Sequence, residues 1–308
     1  MRAGLRDAAR RHGRPAFGRA ADAVARRLIA AAGWSAIVLL AAIGTFLLMN
    51  ALPALREVGL PHLLSGDSWY PTSTPPRFGF LPAEAGSAWV TLVALAACVP
   101  VGVAAAIYIS EFAGTLVKEV AKSVVEFMAA VPSVVYGLLG VAFLVPRLKA
   151  GLGLETGLTA LAAGLVVGVM ALPTIVSISE DALHAVPDAL RQGALALGNT
   201  RWQTTYKVVV PAASSGVFAA VMLGLGRAIG ETMVVLMLAG NAGIIPSNPL
   251  VSVRTMPGTI AGEMGEVVQG SLHFSVLFAL GLVLFAVTFA VNLAADIVLE
   301  RQRRRWRR

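Results

Sequence analysis

Residues 156–179, TGLTALAAGLVVGVMALPTIVSIS, run for twenty-four positions without one charged side chain. A bilayer core takes about 20 apolar residues per helix, so the stretch reads as a membrane span. Six more charge-free windows lie at 28–55, 85–110, 127–146, 208–226, 232–253 and 267–295. The pair at 208–226 and 232–253 is divided only by Arg227 and Glu231, and the latter window runs out into Asn241, Pro246, Asn248 and Pro249, which read as loop. Merging the pair predicts one helix over 212–240. Six spans result, at about 28–50, 87–110, 125–145, 157–177, 212–240 and 272–296.

The composition of the 308-residue chain agrees. Hydrophobic residues make up 57% and charged residues 14%, with a mean hydropathy of +0.76. Soluble domains carry about 25% charge, so an ordinary cytosolic enzyme and a disordered chain are both excluded. The single cysteine, Cys98, rules out an internal disulfide framework and a cysteine metal cluster, and it reads as a small buried hydrophobe. The first span is too long for the apolar core of a signal peptide and is read as retained.

The net charge of +8 resolves into two tails. Residues 1–27 hold eight arginines and residues 300–308 hold six, whereas residues 28–299 carry a net charge of −3. The basicity therefore belongs to the ends. Placing both termini in the cytoplasm puts 19 Lys/Arg inside and five outside, with Arg227 left in the membrane. The terminal RQRRRWRR is expected to lie against anionic lipid with Trp306 at the interface. Nucleic acid is not an expected partner, because no groove-reading element accompanies these arginines.

Helix breakers fall at Pro100, Pro132 and Pro173, each inside an expected span. Gly164/Gly168 and Gly226/Gly230 have the spacing that lets helix backbones approach closely. No GxxxxGK[ST] stretch occurs, so P-loop hydrolysis of ATP is excluded for this chain. The four histidines, at 12, 62, 184 and 273, show no ligand spacing, and no catalytic constellation, metal site or bound cofactor is expected.

Two features carry chemistry. The first is the segment between spans four and five, 178–211. Pro187 followed by DALRQGALAL reads as a helix start with Asp188 in its first turn, and Gly198, Asn199 and Thr200 supply a stop, a turn and a cap. A second short helix over 201–209 follows. Two helices on a glycine turn make a knob, fit either to dock a cytoplasmic partner or to serve as an ordinary helical loop. The second feature is Arg227-Ala228-Ile229-Gly230-Glu231 inside span five. An intramembrane ion needs a partner or a wet cavity. On a continuous helix Arg227 and Glu231 stand at i and i+4 and can pair on one face. Such a pair either fixes packing or forms an ionic station on a polar path. The planar guanidinium suits phosphate-like oxyanions.

The 178–211 segment resembles the coupling loop of ABC-importer permeases, E-A-A-x3-G-x9-I-x-L-P. Here it reads Gln192-Gly193-Ala194, three residues, Gly198, nine residues, then Val208-Val209-Val210-Pro211. Gln192 stands where the pattern has glutamate, so docking by shape is kept and a salt bridge from that position is not. The blocks GLGRAIGETMVVLMLAGN (224–241), TIAGEMGEV (259–267), GSLHFSVLFALGLVLF (270–285), FGFLP (78–82) and Glu126-x5-PSVVYGLLG resemble the PstC-type permease family of the high-affinity phosphate ABC importer, over about 78–296.

The resemblance implies an all-α integral membrane protein with the six-helix type I ABC importer permease fold. It implies a PstA-type permease beside it in the membrane, a PstB-type ATPase dimer on the coupling loops, and an extracytoplasmic phosphate-binding protein. ATP and Mg would sit on the ATPase, and no cofactor on this chain. Arg227 and Glu231 would line the phosphate path, and Gln192, Gly193, Ala194, Gly198, Val208 and Pro211 would meet the ATPase. Sulfate or molybdate transport on the same scaffold, and a membrane scaffold or signalling subunit, stand as alternatives. The segment 60–86, with Trp69, Tyr70, Arg77 and prolines at 71, 75, 76 and 82, is either a contact for the binding protein or an external loop anchored by aromatics.

Overall fold

The computed structural model describes the backbone of residues 16–306 and the side chains of residues 24–300. The lipid contacts expected of Trp306 and the C-terminal arginines lie outside the described side chains. Two units divide the chain at Met49/Asn50. Among the described residues, six helices are long and apolar enough to cross a membrane.

The first helix, α1 (Ala16–Glu57), supplies nearly all of the described part of the first unit and ends inside the second. The second unit continues with α2 (Leu60–Ser65), a hairpin of β1 (Trp69–Tyr70) and β2 (Arg77–Phe78), and α3 (Leu81–Ile107), which runs on through a π-helical turn to Phe112. Then come α4 (Thr115–Ala130), α5 (Ser133–Leu139) and α6 (Val145–Leu152), the last two joined by a π-helical turn. Next are α7 (Ala160–His184), α8 (Asp188–Ala196), α9 (Arg201–Thr204), α10 (Val210–Ile229), α11 (Met233–Leu238), α12 (Met256–Glu263) and α13 (Leu272–Trp306). The hairpin is antiparallel, pairing Trp69 with Phe78 and Tyr70 with Arg77.

The packing centre of the second unit is the parallel pair α3 and α7. Both are continuous for about 40 Å at 1.5 Å per residue. Their close crossing is set by glycine: a Cβ at Gly164 would sit 2.6 Å from the Val93 side chain, and one at Gly168 would sit 2.9 Å from the Ala94 carbonyl oxygen. The Gly164/Gly168 spacing is thus a helix crossing, while Gly226 and Gly230 meet nothing closer than 3.6 Å. Around the crossing, Val90 and Ala94 pack with Ala163, Val167 and Met170 and with Val234, Val235 and Leu238 of α11. Cys98 is a buried thiol against Ala171 and Ile175. A second core, with Trp69, Phe80, Met256, Leu277 and Leu280, ties the hairpin to α12 and α13.

Two span boundaries differ from the sequence reading. The third span is Ser133–Leu152, not 125–145, because the chain breaks at Val131, which is extended with ψ 127°. Pro132 disfavours the helical region for the residue before it, so α4 becomes a separate amphipathic helix. The fifth span is not continuous over 212–240. It ends at Ile229, and α11 starts at Met233 after Gly230, Glu231 and Thr232. Pro100 and Pro173 lie within α3 and α7.

Candidate functional site: a broken helix and a capped knob

The break between α10 and α11 reorganises the charged pair. Arg227 lies in the last turn of α10, exposed on this chain, and its Nη1 donates to Thr174 Oγ1 of α7 at 3.3 Å. Thr174 lies fourteen residues into α7, about 21 Å along its axis and so near mid-span. Glu231 does not follow on the same helix face. Its Oε1 accepts from the Val234 amide at 3.3 Å and so caps α11. Among the described residues no Arg227–Glu231 ion pair forms, which corrects the local i,i+4 pairing expected of a continuous helix.

A helix end leaves backbone groups without intrahelical partners. At the break the Gly230 and Glu231 amides donate to the Gly226 and Ala228 carbonyls at 3.3 and 3.4 Å, and the Val234 amide of α11 donates to Glu231. Irregular backbone at membrane depth is tolerated only inside protein or against a watery cavity. A mainly apolar cleft of about 470 Å³ opens beside the break, walled by Ala88, Leu92, Leu95, Ile229, Met256 and Val287, with Glu84, Ser87 and Thr91 as its polar residues. Glu231 shares a narrow adjoining crevice with Ser87, Thr91 and Thr255.

The 178–211 segment folds as a capped knob at the other end of α3 and α7. Pro187 precedes α8, Gly198 takes φ +85°, and Thr200 caps α9 in a reciprocal box with Gln203, accepting from its amide at 3.2 Å and donating its own amide to Oε1 at 2.9 Å. Gln192, Gly193 and Gly198 are exposed, Ala194 is buried, and Val208 and Pro211 are half-buried. Leu190, Leu195, Leu197, Trp202 and Tyr206 are exposed on the same segment, with Leu197 at 86%. This is an apolar surface on rigid backbone.

What holds the knob rigid is not visible in the motif. Glu111, in the turn that ends α3, pairs with Arg191 at 2.9 Å, and its backbone oxygen accepts from Arg201 Nη2 at 2.7 Å. Arg191 also donates to the carbonyls of Leu183, at 2.8 Å, and Val186. The Glu111 contact holds the Arg191 guanidinium protonated above its ordinary value. Nearby, Glu180, 4% exposed at the side chain, is gripped by Lys118 and Lys122 of α4, each at 2.9 Å. The bond to Glu180 raises Lys122 above the usual lysine range. Charge counting placed the lysines and arginines on one side of the membrane, but their bonds to Glu111 and Glu180 span up to 90 positions and leave no local signal.

A third polar cluster sits at the hairpin end. Glu263, the last residue of α12, meets Trp69, Arg254 and His273.

Comparison with known proteins gives the family. Residues 98–308 match the family model described as the binding-protein-dependent transport system inner membrane component. The chain belongs to that family: it is a multi-pass membrane component of an ABC transporter, not an enzyme. It is similar to the probable ABC transporter permease protein YqgH of Bacillus subtilis, 39% identical with 87% of each chain covered. It is also similar to the phosphate transport system permease protein PstC of Mesorhizobium japonicum, 33% identical over 91% of this chain and 90% of that one.

Among solved structures, it resembles the crystal structure of a bacterial alginate ABC transporter at a TM-score of 0.63 and 15% identity, covering 91% of this chain and 96% of that one. A second likeness is the MetNI methionine ABC transporter, at a TM-score of 0.53 and 20% identity, covering 71% and 91%. These two likenesses are of fold alone, the type I importer permease.

Proposed function

We propose that this chain is the PstC-type permease subunit of an ATP-driven importer that moves inorganic phosphate across the cell membrane. Arg227 carries the reading. It is a guanidinium at mid-span, held by one neutral hydroxyl and otherwise open on the face this chain leaves uncovered. Planar donor forks bind tetrahedral oxyanions well. Conduction needs binding that is weak enough to release, and Thr174 orients the guanidinium without neutralising it. Glu231, in the crevice lined by Ala228 and Ile229, limits how tightly an anion can rest beside the break. Relatives named as phosphate permeases support the substrate, whereas the name of the Bacillus relative specifies none.

In this reading a PstA-type permease supplies the other half of the path. A PstB-type ATPase dimer docks on the exposed apolar side chains of the 178–211 knob, which faces the cytoplasm with both termini. A phosphate-binding protein delivers its cargo at the hairpin end. The knob binds by shape and apolar area, with Gln192 at its surface. Glu111 and Arg191 pass its motion into α3 and α7. ATP and Mg stay on the ATPase.

The test is ATP-dependent uptake of labelled phosphate into proteoliposomes holding this chain, its neighbouring permease, ATPase and binding protein. Competition by phosphate analogues, and none by sulfate or molybdate, is expected. An assembled complex that hydrolyses ATP but takes up sulfate or molybdate instead would keep the importer and overturn the substrate. Hydrolysis without uptake of any solute would favour the scaffold or signalling alternative.

A further inference from the structure

Glu263 takes donors from three separate segments. Its Oε1 and Oε2 accept from the Trp69 indole at 2.9 and 3.1 Å, Oε1 faces Arg254, and Oε2 meets His273 Nε2 at 2.8 Å. Trp69 belongs to the hairpin and is 1% exposed, His273 opens α13, and Arg254 ends the loop that follows α11. The network does not stop there. Arg254 Nη2 donates to the Asn241 carbonyl at 3.1 Å, and Asn241 Nδ2 donates to the Leu236 carbonyl at 3.2 Å. Leu236 lies in the last turns of α11, whose first turn is capped by Glu231. Asn241 itself is held at φ 58°, in a region few side chains adopt.

We infer that Glu263 is the positioning residue of a polar relay, Trp69–Glu263–Arg254–Asn241–Leu236, through which the hairpin end of the protein sets the placement of α11 and hence of Glu231. The inference rests on the importer reading above. The first two links join separate segments, the last two tie the loop after α11 to itself and to α11, and α11 has only six residues, so it moves as one piece. Val234, Val235 and Leu238 anchor its buried side in the α3/α7 core, and the relay holds the Leu236 carbonyl near its C-terminal end. A binding protein pressing on the hairpin shifts Trp69, and a carboxylate with no slack transmits that shift. Coupling between two sites needs a physical element that both bias, and α11 is that element.

The test assembles the full complex in nanodiscs with its partner permease, ATPase and phosphate-loaded binding protein. It compares the wild type with Glu263→Gln and Asn241→Gly. Gln keeps the shape and loses the charge facing Arg254. Gly keeps the positive φ and the backbone bonds to Val253 and Arg254, and it removes the side-chain bond to Leu236. Three quantities are read: basal ATPase rate, its stimulation by the loaded binding protein, and amide exchange over residues 231–239. Both variants are expected to keep the basal rate and lose stimulation about tenfold, within the usual range of coupling between sites, with faster exchange over 231–239. Wild-type stimulation, or wild-type exchange in that segment, overturns the relay. Should Glu263→Gln fail to assemble, Asn241→Gly decides by the same criteria. A wild-type complex that phosphate-loaded binding protein does not stimulate overturns the phosphate reading instead, while the exchange comparison still decides the relay.

Discussion

Arg227 of α10 bonds Thr174 of α7 at 3.3 Å, while Glu231, four residues further on, turns away to cap a different helix. The guanidinium is therefore oriented by a neighbouring helix rather than neutralised by its own. Thr174→Val removes the acceptor and keeps the volume. A hydrogen bond at this degree of exposure is worth about 1 kcal/mol, or about fivefold in an equilibrium. Apparent affinity in the uptake assay should fall by about that factor, with the complex still assembling. Arg227→Ala should abolish uptake, and unchanged uptake in that variant would remove the residue from the path.

The hinge between knob and bundle gives a second prediction. Arg191 and Glu111 are 18% and 10% exposed at the side chain. Arg191→Ala strands the Glu111 carboxylate and two carbonyls. Removing one partner of a buried pair costs about 3–5 kcal/mol, and partial exposure brings this nearer 2–3. Membrane insertion should survive, whereas co-purification of the ATPase should fall at least tenfold. Glu111→Gln should be milder, since the bonds to Arg191 can partly reform.

Gly198 tests the knob differently. An added Cβ there meets nothing within 4 Å, so the cost of Gly198→Leu is conformational, about 1–2 kcal/mol for a side chain held at φ +85°. Gly198→Asn should cost less, because asparagine visits this region. ATPase binding should follow the order Gly, Asn, Leu. Equal binding by all three would show that the turn does not shape the docking surface.

Packing at the helix crossing gives the fourth. Gly164→Ala drives a methyl into Val93 at 2.6 Å and should lower the thermal midpoint by the equivalent of about 1–3 kcal/mol. Gly193→Ala has open space around it and a helical backbone, so its midpoint should match the wild type or rise slightly.

The Lys122–Glu180 contact fixes a pH dependence. Lys122 is shifted upward by its bond to Glu180. A group raised in the folded state stabilises fully below its unfolded value, about 10.4 for lysine, and loses that stabilisation as pH climbs through the folded value. Closure of α4 on α7 should be constant from pH 6 to 9 and loosen as pH rises above about 10.5. Crosslinking between cysteines placed on α4 and α7 would follow it. Loosening near neutral pH would assign the closure to another group.

The membrane spans and the knob were legible because their causes are local. A run of about twenty apolar residues reads as a span whatever lies around it, and 156–179 falls almost wholly in α7, while a Pro187 start, a Gly198 turn and a Thr200 cap act within a few positions. The glycine pair at 164 and 168 was visible as a spacing, but only the approach of Val93 and Ala94 makes it a contact. Charge-free windows cannot see a break that contains no charge, which is why Pro132 moved the third span. They also treated Arg227 and Glu231 as interruptions of one helix.

By itself, then, the sequence determined the class of protein, the number of spans and the candidate charged and docking residues, since composition and short-range pattern suffice for those. Only the tertiary structure decided that Arg227 answers to Thr174, that Glu111 anchors Arg191, and that Glu263 joins Trp69, Arg254 and His273. The physical reason is that a charge in a low-dielectric interior takes whichever partner the folded chain brings within about 3 Å. That choice is made by helix crossings and breaks tens of residues away, not by neighbours in the chain.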